Sequence, residues 1–265
     1  KKYGDANDAD GSFRLLQRLV RTLKDRESKS DRKYLAFACN EVMKNYSNAK
    51  EETSLSRVQE VFDMMNEEDF IEPDHYTYST LMDAYAESRL PTSVPTVNAI
   101  LDSILDKDPG NENIQTSIHF FNILFKACAL SPPSSDAIPA TVAIQRFSQI
   151  HKSNPWGIEK LSPSSYNHLL AISEKHIQRE TQRRELVKQI FRKCCSDGKV
   201  TSDLMRRCQT LLSREPFAKM LSEMPGADEG HEKLRQQIPG SVRIRDLPAK
   251  WTRHAYAPKP KKKTR

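Results

Sequence analysis

The polar side chains placed most regularly in this chain are an amide or a hydroxyl that recurs four times, each time directly after an aromatic residue or a cysteine. These positions are Asn40, Ser79, Asn122 and Asn167, at intervals of 39, 43 and 45 residues. Amides and hydroxyls both donate and accept hydrogen bonds. A short phrase that returns at such intervals indicates a repeat array. We therefore expect function on a surface built by stacked units rather than in one catalytic pocket.

Residues suited to bond-breaking chemistry form no recognisable arrangement. His168 and His176 are eight residues apart without an HExxH motif, and neither a P-loop nor a GxSxG sequence occurs. The acidic residues of the C-terminal part are dispersed instead of clustered for two metals, as Asp197, Asp203, Asp228 and Asp246. We expect no catalytic residue, no metal site and no cofactor, and we predict that the protein is not an enzyme.

The five cysteines form no CxxC pair, so we expect buried thiols in a reducing compartment. No apolar run approaches the ~18–20 residues that a membrane span needs, and no span is expected. The chain begins Lys1-Lys2-Tyr3, so a cleaved targeting peptide would not be visible in it.

Each of the four phrases lies on an apolar stripe with helical spacing. In the second phrase, Tyr78, Leu81, Met82 and Tyr85 fall at i, i+3, i+4 and i+7, which is one face of an α-helix. A second stripe follows each phrase, and glycine and proline fall between the stripes. Helix pairs that cannot bury both stripes alone predict an all-α fold, a right-handed α-solenoid of about four repeats.

Capping signals mark several predicted helix ends. Ser93 with Pro95, and Ser162 with Pro163, indicate an N-cap followed by an early helical proline. Gly198 indicates a C-terminal stop.

The predicted organisation has four parts. They are a partial repeat with its linker at 1–35, the repeat array at 36–198, capping helices at 199–224 and an extended tail with a basic end at 225–265. We expect Trp251 in the tail to fold back onto the helices in preference to engaging a partner. The array is expected to extend upstream of Lys1.

The formal net charge of +7 is concentrated at the C-terminus. Lys259–Arg265 contributes +5, which leaves +2 for the rest of the chain. The high isoelectric point is therefore mostly a property of the tail, and the charge alone does not indicate that the helices bind nucleic acid.

One segment matches a known repeat closely. Ser56–Ala86 reads SRVQEVFDMMNEEDFIEPDHYTYSTLMDAYA, with a helix ending near FDMM, a short link, a Pro-Asp and a new helix beginning with TY. It resembles the pentatricopeptide repeat, and the weaker resemblance extends over about Ser12–Ser196. A tetratricopeptide array is the nearest alternative, but its usual Trp, Gly and Tyr placements are not met here.

The resemblance implies binding of single-stranded RNA in a mitochondrion or chloroplast, in support of RNA processing, stability or translation. In such arrays one base is read per repeat by two or three side chains. Two alternatives remain: a protein–protein scaffold in an organellar assembly such as the mitochondrial ribosome, and the repeat region of a longer nuclease. Positive potential along the Asn40–Asn167 face would favour RNA, and a neutral, apolar face would favour a scaffold.

The resemblance also implies a role for individual residues. The base-reading positions would be Asn40, Ser79, Asn122 and Asn167. Their partners, at the end of each repeat, would be Asp74, Ser117 and Ser162, with none for the last. The Asn40–Asp74 pair resembles one that prefers uridine, Asn122–Ser162 leans towards a pyrimidine, and Ser79–Ser117 matches no clear preference.

A third implied role is stacking between neighbouring bases. Its positions would be Phe37, Tyr76 and His119, while Ser164 in the fourth repeat departs from the apolar pattern. A simpler interpretation also stands: Asn and Ser are ordinary early-helix residues that bond local backbone, and Asp74 would then be a plain N-cap.

Overall fold

The chain is all-α, as the computed structural model shows. It describes residues 9–23, 29–49, 53–68, 71–106, 117–133, 137–155, 157, 160–224 and 242–255. Within these ranges no β-strand occurs. The all-helical prediction is confirmed. The apolar residues recur with the period of a helix, and the prolines inside helices, such as Pro95, Pro139 and Pro163, lie in the first turn, where proline is tolerated.

Twelve α-helices and one 3₁₀ turn, Ile244–Asp246, make up the described chain. The helices are α1 Ala9–Leu23, α2 Lys29–Ala49, α3 Ser54–Glu67, α4 His75–Ser88, α5 Ser93–Leu105, α6 Ile118–Leu130, α7 Ile138–Lys152, α8 Pro163–His176, α9 Glu180–Asp197, α10 Ser202–Leu211, α11 Arg214–Ser222 and α12 Ala249–Thr252. The four recurring phrases lie in α2, α4, α6 and α8. Helix α2 begins at Lys29, ahead of the predicted repeat boundary at 36.

The chain divides into two compact units, residues 1–132 and 133–265. In the first unit, α2 packs against α4 and α4 against α6, so the phrase-bearing helices form one row. Helix α3 packs against both α2 and α4, and α5 against both α4 and α6. These contacts are those expected of a helical repeat, in which each pair buries its stripes against the next.

Local signals explain where two phrase-bearing helices begin. Asp74 caps α4: its carboxylate accepts from the Thr77 backbone N–H, and the Thr77 side chain accepts from the Asp74 N–H. Ser162 and Ser165 form the same reciprocal box at the start of α8. Each box satisfies donors that a helix N-terminus otherwise leaves unpaired. The prediction that Ser162 is an N-cap is confirmed.

The prediction for Ser93 is wrong. Thr92 is the N-cap residue of α5, and Ser93 is already the first helical residue. Ser93 is buried, and its hydroxyl bonds the Ser88 hydroxyl at 2.9 Å. A side chain engaged in this way is not available to cap its own helix.

In the second unit, α8 packs against α7, α9 and α10, and α10 against α11. A buried polar network joins α8 to α9: the Tyr166 hydroxyl donates to Asp197 at 2.6 Å, and Lys193 Nζ lies 2.8 Å from the other oxygen of Asp197. Gly198 ends α9 in the left-handed conformation, with φ +69°, which confirms the predicted stop.

Part of the segment for which the sequence predicts an extended tail folds back onto the second unit. Trp251, on α12, is fully buried and packs edge-to-face on Phe191 of α9, with ring centroids 6.2 Å apart. The Val200 N–H donates to the Trp251 carbonyl, and the His254 N–H to the Gly198 carbonyl. The expectation that Trp251 tucks back is confirmed, while the predicted basic end lies outside the described residues.

The five cysteines are free and buried. Burial raises the pKa of the Cys39, Cys128 and Cys208 thiols to about 12, so these groups are poor nucleophiles. No helix in the described ranges is both long and apolar enough to span a bilayer.

Candidate nucleic-acid interface

The first predicted base-reading pair, Asn40 and Asp74, is brought together by the packing of α2 against α4. The Asn40 Nδ2 donates to Asp74 Oδ1 at 3.1 Å. The Thr77 hydroxyl donates to Asn40 Oδ1 at 2.7 Å. Asn40 is only 4% exposed, so both ends of its amide are engaged inside the protein. In this arrangement the amide holds the capping box of α4 in place.

The second predicted base-reading residue, Ser79, also bonds within the protein. Its side chain is buried, and its hydroxyl donates to the His75 carbonyl one turn earlier at 2.8 Å. Its predicted partner, Ser117, is the N-cap residue of α6 and makes no side-chain capping bond. Ser117 Oγ is buried and has no hydrogen-bond partner among the described residues. The structure therefore does not join Ser79 to Ser117.

The remaining predicted positions are divided between the units. Asn122 is partly exposed on α6 of the first unit, and Asn167 is partly exposed on α8 of the second. Ser162 accepts a hydrogen bond from the Ser165 N–H at 3.1 Å as the cap of α8. The predicted pair of Asn122 and Ser162 therefore has one member in each unit.

The predicted stacking positions are exposed in the first unit. Phe37 is 63% exposed and Tyr76 is 46% exposed, and His119 is exposed as well. They occupy equivalent positions on α2, α4 and α6, each three residues before Asn40, Ser79 or Asn122. We call these three side chains the aromatic row. Exposed rings at matched positions on packed helices form a surface suited to binding flat or apolar groups.

One aromatic residue beside the aromatic row was missed by the sequence reasoning. Tyr34 is 69% exposed and precedes Phe37 by three residues, so it lies on the same side of α2. The three-residue spacing to Phe37 indicates this placement, but Tyr34 lies ahead of the recurring phrase, which begins at Cys39.

His119 is held in place by its neighbours. Its ring stacks on that of His75, with ring centroids 6.1 Å apart. The centroid of the His75 ring also lies 4.5 Å from that of Phe120. Partial burial of the imidazole against its neighbours lowers the pKa of His119, and the neighbouring His75 lowers it further. His119 is therefore biased towards its neutral form, which suits stacking better than charge pairing.

Charged residues beside the aromatic row are mixed in sign. Lys126 of α6 lies 2.7 Å from both Asp83 and Glu87 of α4, a bridge between adjacent phrase-bearing helices. Burial opposes the charge on Lys126, but the two carboxylates outweigh it and raise its pKa. The equivalent residue on α2, Lys44, is exposed. This face of the helix row is therefore not a cationic one.

The two units carry opposite net charges. The first has 16 Lys and Arg against 22 Asp and Glu, a net charge of −6. The second has 26 against 13, a net charge of +13, of which the last seven residues supply +5. The sequence-based view of a nearly neutral body is thus an average of an acidic unit and a basic one.

The described residues contain no group of three or more His, Cys, Asp or Glu arranged to hold a metal ion. The chain has no significant match among protein-family models, curated proteins or solved structures. The pentatricopeptide resemblance therefore stays a prediction, carried by the residues of Ser56–Ala86.

Proposed function

We propose that the protein is a non-catalytic α-solenoid of the pentatricopeptide type that binds single-stranded RNA. The observation that carries this proposal is the aromatic row, with rings exposed at equivalent positions on three successive phrase-bearing helices. Every base has a flat face, so stacking on an aromatic side chain contributes ~1–3 kcal/mol per base and tolerates many sequences.

The burial of the Asn40 amide argues against strong base reading at this position. An amide that already bonds Asp74 and Thr77 must give up those bonds before it can read a base edge. We therefore propose that stacking on the aromatic row provides most of the affinity of the first unit. Base selectivity at Asn40 is then weaker than the resemblance implies.

The cellular role rests on the resemblance of Ser56–Ala86. We propose a mitochondrial or chloroplast location and a role in RNA processing, stability or translation. Both proposals depend on the family assignment. RNA binding by the aromatic row does not, and it can be tested on the purified chain.

The decisive experiment compares two double variants by fluorescence anisotropy with a labelled oligouridine. Phe37→Ala with Tyr76→Ala removes two rings of the aromatic row, and we expect the affinity to fall by about 30-fold or more. Leu15→Ala with Leu19→Ala is the matched control, because these side chains are also exposed but lie on α1. Equal affinities for the two variants would overturn the proposal.

A protein–protein scaffold in an organellar assembly, such as the mitochondrial ribosome, is the second candidate. The net charge of −6 on the first unit favours it, since an acidic surface repels phosphates. Exposed aromatic side chains are also enriched at protein interfaces. An aromatic row that binds no RNA, but whose double variant loses a basic protein partner, would support the scaffold instead.

A further inference from the structure

Helix α9 of the second unit carries a line of cations. They are Arg184, Lys188 and Arg192, at intervals of four residues, so the three lie along one side of the helix. Helix α11 meets this side, because Lys188 Nζ forms an ion pair with the Glu223 carboxylate just beyond α11. Residues far apart in the sequence therefore share one surface.

Two further cations lie one helical turn from this ion pair: Arg192 follows Lys188 by four residues on α9, and Lys219 precedes Glu223 by four residues, with the Glu223 N–H donating to the Lys219 carbonyl. The hydrogen bond from Lys188 lowers the pKa of Glu223, and the nearby charges of Lys219 and Arg192 lower it further. Arg192 and Lys219 are exposed, and Lys188 is partly exposed. One carboxylate among three cations leaves two positive charges in excess. We call Lys188, Arg192, Lys219 and Glu223 the basic cluster.

Three other ion pairs in the described part of the second unit each join one cation to one carboxylate. Arg184 pairs with Glu180 and Arg207 with Glu174. Arg206 pairs with Asp203 at 3.3 Å. Pairs of this kind leave no excess charge, and exposed ones contribute little to stability. The basic cluster differs from them because its cations outnumber its carboxylate.

The cluster is carried by packed helices. Phe217, Met220 and Leu221 bury the inner side of α11, and Val187, Ile190 and Phe191 bury that of α9. The positions from which the cations extend are therefore fixed by the hydrophobic core. This lowers the cost of ordering the side chains around a bound anion.

We propose that the basic cluster is a second nucleic-acid contact, which binds the phosphate backbone of a single strand without regard to its sequence. The proposal rests on the proposed RNA-binding function and assigns to the second unit the electrostatic share of the affinity. Each phosphate neutralised by a lysine or arginine releases condensed counterions, so the contact weakens as salt rises. It also explains how an RNA-binding protein can contain an acidic unit: attraction of phosphates is assigned to the basic one.

The test uses the full chain, with an oligouridine and an abasic oligonucleotide of equal length as probes. Arg192→Gln with Lys219→Gln removes two cations while the Lys188–Glu223 ion pair stays in place. For both probes we expect weaker binding. We also expect a smaller slope of log affinity against log salt, by about 1.4, since each contact to a single strand contributes about 0.7.

Lys160→Gln with Arg206→Gln is the matched control, because both residues are exposed in the second unit and the change in net charge is the same. Equal changes in slope for the two double variants would show that only net charge matters and would overturn the proposal. An unchanged slope in the Arg192 and Lys219 variant would overturn it too, as would loss of all abasic binding when only the cations of Lys259–Arg265 are replaced.

The abasic probe separates this inference from the proposed function. It has no bases to stack, so the Phe37 and Tyr76 double variant should bind it as the unchanged protein does. If oligouridine and abasic probes bind equally well, stacking fails while the basic cluster stands. If the cluster variant binds both probes like the unchanged protein but the aromatic variant loses oligouridine, the cluster fails while stacking stands.

Discussion

The two units of this protein are both built from packed helices, but they carry net charges of opposite sign. The first carries a net charge of −6 and leaves Phe37 and Tyr76 exposed. The second carries +13, and the large rings that the structure describes in it, among them Tyr166 and Trp251, are buried. The net charge of the whole chain describes neither unit. A helical framework fixes the inner side of each helix through its core, and the outer side is free to differ from unit to unit.

The largest effect that separates the units is expected from Trp251→Ala. Removing this fully buried ring from its contact with Phe191 should cost the second unit about 3–5 kcal/mol of its free energy of unfolding. Hydrogen exchange should show faster exchange in α9 and α10, with α2 and α4 unchanged. Arg253→Ala, at an exposed neighbour, is the control. An equal loss of protection in both units would show that they unfold as one.

Asn40→Ala tests whether this amide has a structural role in the first unit. The change removes the two buried bonds that join Asn40 to the capping box, while Asp74 and Thr77 keep the bonds to each other, so we expect a loss of about 1–3 kcal/mol in denaturant unfolding. Ser79→Ala at the equivalent position removes only a bond to its own helix and should cost about 0.5 kcal/mol or less. Similar costs for the two variants would contradict the role assigned to Asn40.

Gly198→Ala tests the attachment of residues 242–255 to the second unit. Gly198 has φ +69°, and an added Cβ would lie 2.9 Å from the Lys250 carbonyl oxygen. We expect a loss of about 1–2 kcal/mol from the left-handed conformation, with additional loosening of this segment from the clash. Gly157→Ala is matched, because Gly157 has φ +62° and open space around its Cβ position. Proteolysis should cut the segment faster in the Gly198 variant alone.

The smallest effect is expected from pH. The pKa of His119 lies below its ordinary value of 6.5, because burial and His75 disfavour the imidazolium. The unfolded chain therefore binds the proton first, and stability falls as pH decreases below 6.5. In thermal unfolding, His119→Gln should reduce this loss for the first unit.

His151→Gln gives the corresponding test in the second unit. Burial lowers the pKa of His151, and Lys193 lowers it further, so the sign is the same. If His119→Gln changed the acid sensitivity of the second unit as much as that of the first, the two units would not respond independently.

The candidate site was predictable only in part. The aromatic row could be proposed from the resemblance to the pentatricopeptide repeat, and its three members are exposed in the structure. The burial of Asn40 could not be predicted, because its partner Asp74 is 34 residues away and the bond depends on how α2 meets α4. The charge contrast was countable from the sequence, but only the division at residue 132 shows where to count.

The sequence by itself determined the helices, the caps at Asp74 and Ser162 and the stop at Gly198. These depend on residues within a few positions of one another, where spacing and side-chain type act directly. Only the tertiary structure decided that Asn40 faces inward and that Lys188 of α9 pairs with Glu223 beyond α11, which brings the cations of the two helices together. Such features depend on the packing of separate helices, which local spacing does not specify.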